Sequence, residues 1–246
     1  MPVVRRRSPG VRSAARGAAA RVRVQGALYP WSSEDFAALR EACAKLGCTP
    51  EDLLLTIALE TGNTFDPGAA FRNAAGYPTA IGLNQITKAS SDAMGITEAE
   101  RLALIDLTPA EQLPYVVRSF LSARGNKPFE TPPDAVTLYQ TNIAPATVGK
   151  DVVFTQKEFP CPPTREAKTY YCANAGLDAN KDGVIDRTDL AAKLEGFRQG
   201  ANYQLMVEML GATAAQSSRS AGLNAPLPLL AGILAVGGCA LYRVNK

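Results

Sequence analysis

The stretch "LLLTIALETGNTFDPGAA", residues 53–70, decides how this chain is read. Just before it, Thr49 stands as an N-cap, Pro50 fills the first helical position, and Glu51 and Asp52 sit at the positive end of the helix dipole. Gly62 is the stop signal. On a helical wheel Leu53, Leu54, Ile57 and Ala58 cover one side, and Leu55 and Leu59 fill much of the other, so the helix is apolar almost all round and must be buried. Glu60 falls beside Leu53 and Ile57 in the last turn, where desolvation and the negative end of the dipole both favour the protonated acid. A glutamate in that setting is either paired with a cation, Arg72 or Arg118 for instance, or functional.

Working outward, "SSEDFAALREACAKLG" reads as an amphipathic helix with a serine cap and a closing Gly47. Further helices are expected at about 97–105, 109–124, 133–139 and 187–209, and no alternating strand has convincing length. The class is mainly α. Gly and Pro punctuate "FDPGAAFRNAAGYPTAIGLNQIT", which suits a loop or short hairpin over a cleft. Asp66 precedes Pro67 and is read as a turn organiser, the alternative being a second catalytic carboxylate.

With 246 residues, 46% of them apolar, the chain is long enough for one main domain with appendages. Residues 1–23 hold seven arginines and no acid, so the net charge of +3 belongs to this arm. Residues 1–30 read as a basic arm that contacts nucleic acid, anionic lipid or an acidic partner, or else as a solubilising tail or transit peptide. No histidine occurs anywhere, which excludes nucleophiles activated by an imidazole and zinc sites built on histidine. None of the five cysteines forms a CxxC pair; Cys161 and Cys172 bracket a Pro-rich loop and are either a disulfide or two free thiols.

"ALETG" followed by "FDPGA", then "AIGLNQIT" and "LYQTNIAPATVGK", resemble segments of the lytic transglycosylase and goose-type lysozyme superfamily, more narrowly its phage-associated members. The resemblance runs from about Ser33 to Phe197. It implies a lysozyme-like domain over residues 31–210 that binds peptidoglycan glycan strands and cuts the β-1,4 bond between N-acetylmuramic acid and N-acetylglucosamine. It also implies that Glu60 is the catalytic acid/base, with Thr61, Gly82, Leu83, Asn84, Gln85 and Tyr139 lining the cleft or supporting the acid. The chemistry fits the residue type: a glycosidic oxygen leaves once protonated, which needs a carboxylic acid still protonated near neutral pH. By the family's pattern Glu60 then takes a proton from the sugar's own 6-hydroxyl as it closes a 1,6-anhydro ring; a hydrolytic, lysozyme-like reaction and a non-catalytic peptidoglycan-binding virion protein are the alternatives. "ETGNTFDP" is two residues longer than the superfamily's usual turn, Asn84 stands where Met or Ile is usual, "LYQTN" replaces Tyr-Asn-x-Gly, and Gln85 taken alone also reads as a polar residue capping a turn.

"DANKDGVIDRTD", residues 178–189, has EF-hand spacing: Asp178, Asn180, Asp182, Asp186 and Asp189 supply side-chain oxygens around Gly183, and Val184 offers its carbonyl. It reads as a structural calcium loop, with a metal-free acidic turn as the alternative. Residues 211–225, small and polar, read as a flexible linker. Residues 226–242 then form 17 uncharged positions before Arg243, expected to be a C-terminal membrane helix or a helix docked on a virion subunit. Together these features lead to the expectation of a virion-associated protein acting in the periplasm.

Overall fold

The computed structural model describes residues 27–161 and 169–223. Along the chain run α1 (Ser33–Leu46), α2 (Pro50–Glu60), β1 (Ala70–Arg72), β2 (Pro78–Ile81), β3 (Ile86–Thr87), α3 (Lys88–Met94), α4 (Glu98–Ala103), α5 (Pro109–Ala123) and α6 (Ala135–Ile143). After them come β4 (Val152–Thr155), α7 (Tyr170–Asn174), β5 (Val184–Asp186), α8 (Arg187–Arg198) and α9 (Ala201–Leu223). At 57% helix and 9% strand among the described residues, the protein is mainly α. Two small antiparallel sheets, β1-β2-β3 and β4-β5, appear where the sequence had offered no convincing strand; with strands this short, pairing partners rather than side-chain alternation define them.

Helix α2 is the centre of the core. Leu53, Leu54, Leu55, Ile57 and Ala58 have no exposed surface, and α1, α6, α8 and α9 all pack against them. The helix starts are tied to one another by capping carboxylates. Asp35 closes a capping box with Ser32 at the start of α1, and its second oxygen accepts the Ala110 N–H at the start of α5, 2.9 Å away. Asp52, in the first turn of α2, accepts the Ala135 N–H at the start of α6 at 3.1 Å. A satellite core of Ile81, Ile86, Met94, Ile96 and Leu104 lies under the three-stranded sheet. There the fully buried Arg101 of α4 bonds Glu98 and the carbonyls of Pro78 and Ile86, clamping β2 and β3 to the helix.

Four expectations change. The helix expected over 187–209 is two helices, α8 and α9, parted at Gln199 and Gly200. A Cβ at Gly200 would collide with the Asn63 side chain, so the corner of the chain and the loop after α2 are fitted to each other. The linker expected over 211–225 continues α9 as far as Leu223, because alanine and other small residues sustain a helix as readily as a coil. Helix α6 runs four residues past the expected end at 139, to Ile143. Residues 27–30 belong to the packed domain: Tyr29 donates its N–H to the Thr64 carbonyl at 2.8 Å. The arm up to residue 26 and the segment 226–242 lie outside the described residues, among which no helix is long and apolar enough to cross a membrane.

Replacing Asp35 by alanine strips the acceptor from two helix starts at once. The expected cost is about 2 kcal/mol, a fall in Tm of roughly 5 °C, measured by thermal unfolding of the purified variant.

Candidate active site

Glu60 ends α2 with its side chain half-buried. Its Oε1 accepts a hydrogen bond of 2.6 Å from Asn142 Nδ2, on α6. Burial pushes the carboxyl up to about 7, and the Asn142 bond, which favours the ionised form, opposes that shift. A carboxyl balanced near neutrality is what acid/base work at a glycosidic oxygen requires. Neither arginine considered as a partner pairs with it: Arg72 bonds the Gly76 carbonyl of its own hairpin, and Arg118 bonds the Met94 carbonyl.

Asn142 is itself held in place. Its Nδ2 also donates to the Asn84 carbonyl at 3.3 Å, and its Oδ1 accepts from Asn84 Nδ2 at 2.9 Å. Asn84 Nδ2 reaches Ser119 Oγ on α5 at 3.4 Å. A polar line therefore joins α5, the turn after β2, α6 and α2, and it fixes the nitrogen of the Asn142 amide toward Glu60. Tyr139, one turn earlier on α6, is buried, and both burial and the nearby Glu60 charge push its phenol up.

The remaining residues expected at the site support it from within. Thr61 is buried; its hydroxyl donates to the Ile57 carbonyl at 2.7 Å and accepts the Phe65 N–H at 3.0 Å, tying the end of α2 to the loop that follows. Gly82 has φ 83°, and a Cβ there would stand 2.5 Å from Gln112 Oε1. That oxygen accepts the Leu83 N–H, while the amide nitrogen of Gln112 bonds the Pro67 and Leu104 carbonyls. The glycine leaves room for this bracket. Leu83 is core. Gln85, at φ 43°, turns its amide back onto the Gly82 and Ala69 carbonyls, so it braces the hairpin. Asp66 accepts the Gly68 N–H at 2.8 Å, which is the turn role.

Asn142 was not singled out, although it closes the "LYQTN" motif three residues after Tyr139. At that spacing two helical residues share a face, so extending α6 past 139 was the signal that could have found it.

Away from this site, loop 178–189 is held by hydrogen bonds of its own. Gly183 takes φ 83°, and its N–H donates to Asp178 Oδ2 at 3.0 Å. Asn180 and Asp182 accept backbone N–H groups inside the loop, and Asp186 and Asp189 form the capping box of α8. Asp178 Oδ2 also accepts the Tyr171 hydroxyl at 2.6 Å, while its Oδ1 is buried with no hydrogen-bond partner. This donor set suits a hard cation such as calcium. Among the described residues, however, no three acidic, cysteine or histidine side chains are gathered as metal ligands. Cys161 and Cys172 are joined as a disulfide.

No family model, curated protein or solved structure matches this chain.

Replacing Asn142 with leucine removes the donor that, among the described residues, favours ionised Glu60, while keeping a side chain of similar size. The Glu60 midpoint should then rise above about 7, by roughly one unit for a charge-assisted bond, read by carboxyl-selective NMR titration.

Proposed function

We propose that this chain is a peptidoglycan lytic transglycosylase with a lysozyme-like domain, cleaving the β-1,4 bond between N-acetylmuramic acid and N-acetylglucosamine. The observation that carries the reading is the Glu60 carboxyl, raised to about 7 by burial and held by a single Asn142 amide. A large protonated fraction at neutral pH lets Glu60 donate to the leaving glycosidic oxygen. Once ionised, it is stabilised by Asn142 and accepts the proton of the sugar's 6-hydroxyl, or of a water molecule in the hydrolytic variant. Exposed Phe71 and Tyr77 on the hairpin formed by β1 and β2 offer apolar faces for sugar rings. Delivery to the cell wall by a virion or secretion apparatus, with contacts made through the N-terminal arm and the C-terminal segment, belongs to the same proposal.

Glu60→Gln should fold normally and lose at least a hundredfold in release of soluble muropeptides from purified peptidoglycan. Mass spectrometry of the wild-type products separates the readings: anhydro ends support the transglycosylase, reducing ends a lysozyme, and binding without release a non-catalytic virion protein.

We also propose that residues 178–189 hold a structural calcium ion, through Asp178, Asn180, Asp182, Asp186, Asp189 and the Val184 carbonyl. The orphaned Asp178 oxygen supports this reading. Calcium at about a hundred times its dissociation constant should raise Tm by roughly 5–10 °C, and Asp178→Asn should abolish most of that rise. An unchanged Tm would sink the proposal.

A further inference from the structure

Cys43 and Cys48 stand at the corner between α1 and α2, apart from the polar line that serves Glu60. Helix α1 closes on Gly47 in the left-handed conformation, φ 75°, and the Cys48 N–H returns to the Cys43 carbonyl at 3.2 Å. This is the outer bond of a Schellman-type helix end, which folds the residue after the glycine onto one in the last helical turn. Two apolar side chains commonly make that contact. Here both are cysteines with free thiols, Cys43 buried and Cys48 half-buried, and the Cys43 thiol donates to the Thr49 carbonyl, next along the chain from Cys48, at 3.5 Å. The same chain carries the Cys161–Cys172 disulfide, so its folded form belongs to conditions that oxidise adjacent thiols.

We propose that Cys43 and Cys48 form a second disulfide, a staple across the turn that feeds α2. The bridge would end two residues before Pro50, where the helix carrying Glu60 begins. The two thiols are unequal. Cys43 is buried, which pushes its thiol up, whereas Cys48 is the more exposed of the two. Cys48 is therefore the attacking thiolate. It displaces one sulfur from a disulfide oxidant such as oxidised glutathione, giving a mixed disulfide and one free thiolate. Cys43 then gives up its proton and attacks the Cys48 sulfur, expelling the second thiolate. Two cysteine thiols lose two electrons, and one oxidant disulfide gains them and leaves as two thiols. None of this rests on the catalytic reading.

The test uses the full chain equilibrated in a glutathione redox buffer, quenched with iodoacetamide and digested with trypsin without reduction. Cleavage after Lys45 parts the two cysteines, so the bridge shows as peptide Glu41–Lys45 linked to peptide Leu46–Arg72. That linked pair, lost on adding dithiothreitol, is the expected result. In addition, the C43S/C48S variant, which keeps Cys161 and Cys172, should melt roughly 5 °C below the oxidised wild type. Alkylation of both cysteines, linkage only to glutathione, or linkage to another cysteine of the chain would overturn the proposal.

Discussion

The desolvation of one carboxyl, offset by one amide, is the constraint around which this structure is arranged. Burial raises Glu60 to about 7, and α2 is buried because every residue from Leu53 to Leu59 but Thr56 is apolar. A helix of this kind has no solvent face to spare and needs neighbours on all sides. Helices α1, α6, α8 and α9 supply them, drawn from both halves of the chain.

The amide that opposes the desolvation is delivered by α6, and α6 is gripped from behind by the C-terminal part of the domain. Arg187, the first residue of α8, donates to Gln140 Oε1 at 2.8 Å. Gln140 is itself fully buried and bonds the Thr147 and Lys150 carbonyls beyond α6. Strand β5 of the acidic loop pairs with β4, placing fully buried Ile185 opposite Phe154. Loop 178–189 is thus joined through α8 and Gln140 to the helix that presents Asn142 to Glu60. The acidic loop and the helix that faces Glu60 are thus one mechanical arrangement, and each link is a hydrogen bond or packed contact rather than an inference from proximity.

Some of this was legible in the residues alone. The caps at Ser32 and Thr49, the proline at the first position of α2 and the all-round apolar pattern fixed α1, α2 and the place of Glu60, because capping and periodicity are local properties. Local chemistry likewise read Asp66 as a turn organiser and laid out the oxygen donors around Gly183. Where the residue types were ambiguous the reading went astray. Small polar residues after Gly211 looked like a linker and proved helical, since helix and coil differ little in intrinsic preference there. The helix expected over 187–209 likewise proved to be two, because the break at Gln199 and Gly200 follows from how Gly200 meets Asn63.

What the sequence determined by itself, then, was the mainly α class and a carboxylate placed where its own helix would desolvate it. Only the tertiary structure decided what faces that carboxylate. Asn142 lies 82 positions from Glu60, and Asn84 lies 58 positions from Asn142. No periodicity or capping rule reaches across such separations, because the choice between a cation and an amide beside Glu60 is made by how α2, α5 and α6 pack.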